Sequence, residues 1–436
     1  MASGLKGFDA IKARRPYKIR PSGLDISKLP DVCQRLKSRP PNFIYDKLSH
    51  DKSSPYRLLE TTLSKFLPDS VNQTLQRLPL VPSCQLPAGY HLVYFPPPTW
   101  NLLHDGTDDM HFPGKPWVRR MWAGGSIEFR TDDRRKYLAC RHQQSDTMRC
   151  GEQIKDAVVK GSEGNEKVWV DLGRVIGPTR DHMDRSITEA EMLEQAAIIE
   201  RRNLVFMPAK TPGEAIHDVT KPIRTIKPTI KPDFSVSMVP DANLLFRFSA
   251  LTFNAHRIHL DRQYARTIEG FRNLVVHGPL SILLILKVLS SQMGSSKVGF
   301  PLGIPQMVKS ITYRNMAPLF ADEKMTICVR RSQPRASAAS TEANDIETSI
   351  KAESTLEQAD STPVEAYNMP AEADNTPVEA DSTAAEADST AAEADSTAAE
   401  ADSGITKWDV WIENAEGGYA VKGSAETVAA GYTSPH

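Results

Sequence analysis

The sequence predicts an α+β protein with two globular segments, and three observations lead to this prediction. Short apolar runs of strand length recur on both sides of a proline-rich stretch. One longer apolar run, residues 279–289, has the length and composition of a buried helix. The chain of 436 residues has room for two or three domains, and 40 % hydrophobic with 25 % charged residues suffices for a sizeable core.

Residues 1–60 form a basic, proline-rich segment. Six lysines and arginines stand in the first twenty residues against one acid, Asp9. No apolar stretch typical of a secretory signal accompanies them, which leaves a transit peptide or a basic N-terminal arm. We favour the transit peptide over the basic arm. The predicted location is therefore mitochondrial, with a cytoplasmic location as the alternative.

The first globular segment is predicted at 61–210 and a linker at 211–235. In the first segment His91–Phe95 reads as a strand that three prolines end, and further strands are predicted at 126–129, 168–170 and 204–207. The linker repeats Lys-Pro three times. Proline at this density favours an extended connection and resists helix, so we place the domain boundary there.

The second globular segment is predicted at 236–332. It opens with Leu244–Leu251, which alternates like a strand, and continues into the apolar helix from Pro279. Two further strands are predicted at 310–313 and 325–329.

An acidic insertion is predicted at 333–406. Residues 340–403 hold 17 acidic side chains and one basic one, and residues 360–402 cycle through a seven-residue unit that is clearest as DSTAAEA from Asp381. Because so little of this repeat can be buried, we expect a disordered spacer. The last segment, 407–436, reads as a hairpin that is too small to be stable alone, so we expect it to complete the sheet of the second segment.

Charge and cysteine content exclude several classes of protein. Without residues 340–403 the chain has 52 basic and 37 acidic residues, a charge near +15 that suits a CoA phosphate or an acidic carrier protein. No nucleic-acid-binding motif accompanies this charge, so nucleic acid is not a predicted partner. No apolar run reaches the roughly 20 residues of a membrane span. The five cysteines form no CxxC pair, which argues against a disulfide framework and a structural zinc site.

The stretch with the most chemical information is FSALTFNAHRIHLD, residues 248–261. It places Asn254 five residues before His259, and the later VVHGPL places Gly278 before an apolar helix. The Gly278 N–H would lie at the positive end of that helix, where a carbonyl oxygen that gains charge is stabilised. The spacing of His256 and His259 permits zinc ligation, but no second pair of ligands follows, so we predict no metal. Structural roles remain open for His256 and for His277.

These two stretches resemble the hydratase signature of MaoC-like hot-dog enzymes. The resemblance is to the type 2 hydroxyacyl-thioester dehydratases of fungal mitochondria and to mesaconyl-C4-CoA hydratases, and it extends in order to Arg119–Phe129, Ile311–Leu319 and Lys407–Ile412. It implies a tandem (double) hot-dog fold in which each antiparallel sheet wraps around a helix. The N-terminal half would be non-catalytic and form an acyl pocket, and the C-terminal half would carry the single active site.

The resemblance implies a hydro-lyase that dehydrates 3-hydroxyacyl thioesters or hydrates 2-enoyl thioesters. Acyl-ACP or acyl-CoA would be the substrate, no cofactor is implied, and a homodimer is left open. Mitochondrial fatty-acid synthesis is the first setting, and a specialised fungal pathway for polyketides or organic acids is the alternative.

The resemblance also implies roles for individual residues. His259 would be the catalytic histidine, and the Gly278 N–H would bind the thioester carbonyl. Asn254 stands where the wider family has aspartate, and since an amide is no general base, we expect it to hold a water molecule. Possible substrate contacts are Arg257, Asp261, Tyr264 and His277.

Two other functions remain open on the same fold. The asparagine at position 254 favours a non-catalytic module that binds acyl thioesters. A thioesterase would need a carboxylate that activates water, and Glu269 is the nearest candidate in the sequence.

Overall fold

The computed structural model describes the chain between residues 29 and 429, with gaps. The predicted transit peptide and the acidic repeat lie outside the described residues. Those residues are 29–49, 54–72, 83–97, 99–132, 138–141, 147–162, 164–179, 187–223, 225–293, 306–332 and 404–429.

The described part of the chain contains twelve strands and seven α-helices. The strands are β1 Asn42–Lys47, β2 Ser83–Gln85, β3 Arg119–Phe129, β4 Ala139–Arg141, β5 Thr147–Lys160, β6 Lys167–Pro178, β7 Ile198–Met207, β8 Phe234–Met238, β9 Gln306–Asn315, β10 Met325–Arg331, β11 Ile405–Glu413 and β12 Tyr419–Ala429. The helices are α1 Leu29–Lys37, α2 Pro55–Leu63, α3 Glu189–Gln195, α4 Pro212–Thr220, α5 Ala242–Thr252, α6 Arg262–Thr267 and α7 Gly278–Gln292.

Ten of these strands form one antiparallel sheet that divides into two halves. The order is β1-β5-β6-β7-β3 in the first half and β8-β10-β11-β12-β9 in the second, counted from each outer edge. We number the five strands of each half from 1 to 5 along the chain and leave out the small β2–β4 pair. Both halves then have the same strand order, 1-3-4-5-2. The repeated order, with helix between the first and second strands of each half, confirms the predicted double hot-dog fold.

The two halves are joined through the pairing of β3 with β9. Their antiparallel register runs from Gly124 opposite Arg314 to Glu128 opposite Ser310. Strands β11 and β12 return after the acidic repeat and pair with β10 and β9. The chain before and after the repeat therefore belongs to one sheet.

Helix α7 is the centre of the core. Eleven of its fifteen residues are buried, and they occupy every side of the helix. Pro279 stands in its first turn, where the missing N–H leaves no intrahelical hydrogen bond unmade. Each fully buried leucine or isoleucine contributes about 1.5–3 kcal/mol, so this helix organises the core around it. No helix among the described residues is long and apolar enough to cross a membrane.

Two predicted strands are helical in the structure. The segment predicted as a strand at Leu244–Leu251 is helix α5, because its buried positions follow a helical spacing and Asp241 caps its first turn. The strand predicted at His91–Phe95 is a 3₁₀ turn over Tyr90–Val93, in which all four residues are buried. At Tyr90–Val93 no period separates strand from helix because every residue is buried, whereas in α5 the exposed Phe246 obscures the helical spacing.

Two predicted boundaries are also wrong. Strand β1 (42–47) pairs with β5, so the first half begins before residue 61. The predicted linker contains α4, which Thr211 and Glu214 start with a reciprocal capping box. The composition of 211–235 predicted a linker without a helix. All three Lys-Pro pairs, however, follow α4 and do not interrupt it.

A buried ion pair connects α7 with α2. Lys287 Nζ lies 2.8 Å from Glu60 Oε1 and donates to the Tyr90 hydroxyl at 3.0 Å. Both charged side chains are at most 4 % exposed. Removal of water from two charges costs several kcal/mol per ion, so the pair is tolerated only while both partners are present.

We therefore expect Glu60→Gln to destabilise the fold by about 3–5 kcal/mol, because the Lys287 ammonium is left buried without its counterion. The double variant Glu60→Gln, Lys287→Met removes both charges and should recover most of that loss. Urea denaturation gives the free energies of unfolding. A single variant as stable as wild type would contradict this account of the pair.

Candidate active site

The segment from Asn254 to His259 is a compact loop that follows helix α5. Phe253 ends the helix in the left-handed conformation, with φ of 53°. Asn254 Oδ1 then accepts a hydrogen bond from the His256 N–H at 3.0 Å, and a 3₁₀ turn brings the chain to His259. The Val275 N–H donates to the Ile258 carbonyl at 3.0 Å and fixes this turn beside the start of α7.

Asn254, His259 and Gly278 line the same cavity, which has a volume of about 630 Å³. Strands β3, β6 and β7 of the N-terminal half form another part of its wall. The structure thus brings together the three residues to which the sequence assigns the chemistry. Among the described residues, no group of three or more His, Cys, Asp or Glu side chains is placed to hold a metal ion.

His259 is held as a neutral imidazole with a defined tautomer. Its Nδ1 lies 2.7 Å from the Val275 carbonyl oxygen. Since a carbonyl only accepts, Nδ1 carries the proton and Nε2 carries the lone pair. Burial lowers the pKa of His259 to about 4, the hydrogen bond to Val275 acts in the opposite direction, and the charge of Arg120 lowers it further. Near neutral pH, His259 is therefore ready to accept a proton.

Two further histidines surround His259. The His277 ring stacks on it with a centroid distance of 3.6 Å, and His277 Nε2 lies 2.8 Å from the Ser249 hydroxyl. The His256 ring meets it edge-on at 5.4 Å, and His256 Nε2 lies 3.5 Å from Asp105 Oδ2. Burial lowers the pKa of His256 and of His277 well below the usual value. The cluster is therefore uncharged, which avoids repulsion between the rings.

Gly278 is the first residue of α7, where the backbone N–H groups have no partner within the helix. A Cβ atom at this position would lie 3.3 Å from Asn315 Nδ2 and 3.4 Å from Trp122 Cβ. The glycine thus lets the helix start close to strands β3 and β9. Its N–H belongs to the positive end of the helix dipole on the cavity wall.

The four predicted substrate contacts do not line the cavity. The Arg257 guanidinium donates to Asp261 at 2.7 Å and stacks over the Tyr264 ring at 4.3 Å. Asp261 caps helix α6 by accepting from the Tyr264 N–H. His277 precedes α7 and lies behind His259. In the structure these residues lie in or beside the loop Asn254–His259 and its following helix, and they contact each other or His259.

Glu269, the candidate for a thioesterase, also lies outside the cavity lining. Its carboxylate accepts from Arg119 Nε at 2.6 Å and from the Tyr264 hydroxyl at 3.3 Å. A carboxylate with these two partners is held away from the cavity.

A loop of the N-terminal half completes the site, and the sequence reasoning missed it. The Asp105 carbonyl accepts from the Arg257 N–H at 2.8 Å, and the Asp105 carboxylate faces His256. Gly106 follows with φ of +84°, and a Cβ there would lie 2.1 Å from the Ala255 carbonyl oxygen. The Asp-Gly pair at 105–106 is a turn signal in the sequence, but nothing local shows what the turn packs against.

We expect Gly106→Ala to destabilise the protein by about 1 kcal/mol for the left-handed backbone and by a further 1–3 kcal/mol for the collision with residue 255. Gly164→Ala is the matched control, because Gly164 has φ of +81° and nothing within 4 Å of a built Cβ. Denaturant titration of both variants measures the difference. Equal losses would show that the loop contact contributes nothing.

Comparison with known proteins finds a matching family model and several similar proteins. The family model described as hydroxyacyl-thioester dehydratase type 2 matches residues 89–321. A mesaconyl-C4-CoA hydratase of Chloroflexus aurantiacus is 33 % identical over 54 % of this chain and 71 % of its own length. A mitochondrial hydroxyacyl-thioester dehydratase type 2 of Schizosaccharomyces pombe is 28 % identical over 63 % of this chain and 86 % of its own length. A solved MaoC-like dehydratase is 9 % identical with a TM-score of 0.49, covering 90 % of this chain and 99 % of its own.

Proposed function

Because this chain belongs to the hydroxyacyl-thioester dehydratase type 2 family, we propose that it is a hydro-lyase that interconverts 3-hydroxyacyl and 2-enoyl thioesters, with His259 as its acid–base residue. One observation carries the proposal. A neutral histidine with its lone pair on Nε2 shares a cavity wall with the amide at the start of a buried helix. Removal of a proton next to a carbonyl requires this combination of a base and a stabiliser of negative charge.

The proposed dehydration proceeds in two steps, proton abstraction at C2 and loss of the hydroxyl group from C3. His259 Nε2 takes a proton from C2, and the electron pair moves toward the thioester oxygen, which the Gly278 N–H stabilises. The pair then forms the C2–C3 double bond as the C3–O bond breaks, and the proton on His259 goes to the departing hydroxyl to give water. Hydration is the same path in reverse.

Asn254 is proposed to position the water molecule. Its Oδ1 accepts from the His256 N–H, so the Nδ2 group remains to donate to a water or hydroxyl oxygen. A side-chain amide takes no proton at any accessible pH, which leaves the proton transfer to His259. A base contributes about 10²–10⁴ in rate, and one donor to the carbonyl oxygen contributes about 10²–10³.

The metabolic setting has two candidates. The relative from Schizosaccharomyces pombe is mitochondrial, which favours carrier-bound chains in mitochondrial fatty-acid synthesis and a mitochondrial location. The relative from Chloroflexus aurantiacus is a CoA-ester hydratase, which favours a specialised pathway. A homodimer remains a prediction. A non-catalytic acyl-thioester-binding module is the candidate from another class, since Asn254 stands where the wider family has aspartate.

We expect the purified protein to hydrate crotonyl-CoA, and His259→Ala to lower kcat/KM by about a hundredfold or more, because the variant removes the proposed base. The loss of enoyl-thioester absorbance measures the rate. His217→Ala is the control, since His217 is exposed on α4. Equal activity in His259→Ala would exclude this residue as the base, and acyl-CoA binding without turnover in wild type would favour the binding module.

The pH profile of hydration should show the lowered pKa of His259. Because the neutral form is the base, kcat/KM should stay constant down to about pH 5 and fall by half near pH 4, rather than near 6.5. The unfolded state takes up the proton at higher pH than the folded state, so fold stability declines as pH drops from about 6.5 toward 4. Circular dichroism at each pH separates the two effects. A half-point near 6.5 in folded protein would contradict the assignment.

A further inference from the structure

Two buried polar atoms, one from each half of the fold, face each other beside His259. His256 Nε2 lies 3.5 Å from Asp105 Oδ2, and the two side chains are 8 % and 3 % exposed. Neither atom has a hydrogen-bond partner among the described residues. Because an unpaired buried polar group costs about 1–3 kcal/mol, this arrangement indicates that the two atoms interact. Hydrogen bonds of catalytic groups are often long in the free enzyme and shorten with substrate.

The Asp105 side chain is held in one direction by its own turn. Its Oδ1 accepts from the Thr107 N–H at 2.9 Å and from the Thr107 hydroxyl at 2.7 Å. Its backbone carbonyl accepts from the Arg257 N–H at 2.8 Å. These bonds leave Oδ2 as the oxygen that faces His256. A carboxylate accepts hydrogen bonds, so it favours the form of His256 that carries a proton on Nε2.

This contact determines the tautomer of His256. Burial lowers the pKa of His256 well below its usual value, so the ring is neutral and carries a single proton. With that proton on Nε2, the lone pair is on Nδ1. His256 lines the cavity, and Nε2 is its inaccessible nitrogen, so Nδ1 is the nitrogen that can meet a molecule in the cavity.

The proposed hydration requires two acceptors for one water molecule. One hydrogen of the water passes to His259 Nε2 and then to C2. The other hydrogen stays on the oxygen that becomes the 3-hydroxyl, and in a buried site it needs an acceptor as well. Asn254 is poorly suited to this role, because its Oδ1 already accepts from the His256 N–H and its Nδ2 only donates.

We infer that His256 Nδ1 is the second acceptor and that Asp105 is the positioning residue that keeps the lone pair there. This inference rests on the proposed function, since it takes His259 as the residue that moves the proton. The rings of His256 and His259 have centres 5.4 Å apart. A water molecule with hydrogen bonds of about 2.8 Å to both rings bridges a gap of this order. His256 takes up no proton, so the balance of the reaction is unchanged.

The first test replaces the Asp105 carboxylate with an amide of the same shape. Asp105→Asn keeps an oxygen for Thr107 but turns an N–H toward His256 Nε2, which moves the ring proton to Nδ1 and removes the acceptor. We expect kcat for hydration of crotonyl-CoA to fall at least about tenfold, with KM changed less than about twofold. Asp241→Asn is the matched control, because Asp241 caps α5 and asparagine caps as well as aspartate. Its kcat should equal that of wild type.

Nitrogen NMR of protein with isotope-labelled histidine reports the tautomer directly. At neutral pH we expect wild-type His256 to carry its proton on Nε2, and Asp105→Asn to carry it on Nδ1. The signals that are missing from His256→Asn identify this residue. Circular dichroism and urea denaturation show whether each variant is folded.

A second pair of variants separates positioning from a general loss of structure. In His256→Asn the amide stands where Nδ1 stood and offers an oxygen that does not depend on Asp105, whereas His256→Leu offers no acceptor. We expect kcat of His256→Asn to exceed that of His256→Leu at least about tenfold. Addition of Asp105→Asn to His256→Asn should lower kcat less than about twofold further, because the two residues act as one unit.

The outcomes separate the inference from the function on which it rests. A wild-type kcat in Asp105→Asn, or an unchanged His256 tautomer in that variant, overturns the inference and leaves the hydratase function in place. Equal losses in His256→Asn and His256→Leu also overturn it. So does a full tenfold loss when Asp105→Asn is added to His256→Asn, because Asp105 then acts only through its own turn. Absence of crotonyl-CoA hydration in wild type overturns the proposed function and the inference together.

Discussion

Helix α7 is buried on every side, and the rest of the structure is arranged by that burial. Strands β8 to β11 pack against it, the ion pair of Lys287 with Glu60 connects it to helix α2, and the loop Asn254–His259 lies beside its first turn. A helix that is fully covered can expose its free backbone N–H groups only at its end. The cavity begins at that end, with Gly278 in its wall.

The two halves share one strand order but differ in what they contribute. The second half holds Asn254, His259 and the helix dipole. The first half supplies the turn at Gly106. It also holds a row of charged side chains on β5, β6 and β7, namely Glu152, Arg174 and Glu200. Duplication of the fold thus gives two scaffolds with the same strand order, of which the second holds the residues of the proposed chemistry and the first lines another part of the cavity.

Exclusion of solvent from the site controls its electrostatics. Burial keeps the three histidines neutral, so the ring of His259 can lie against His277 without repulsion and still accept a proton. The same burial makes the charged row on β5, β6 and β7 costly, so every carboxylate there has an arginine partner. Both features follow from the low polarity of the interior. It keeps the histidines uncharged, and it requires each charged side chain of the row to have a partner of opposite charge.

The sequence by itself determined the family, the double fold, helix α7 and the placing of Asn254, His259 and Gly278 in one site, because contiguous motifs carry these features. It failed at α5, where the apolar but exposed Phe246 obscures the helical spacing of the buried residues, and at Tyr90–Val93, where all four residues are buried and leave no period. Only the tertiary structure decided that the Gly106 turn packs on the loop Asn254–His259 and that Glu152, Arg174 and Glu200 form one row. Strand register brings such residues together across long separations, and no local pattern records it.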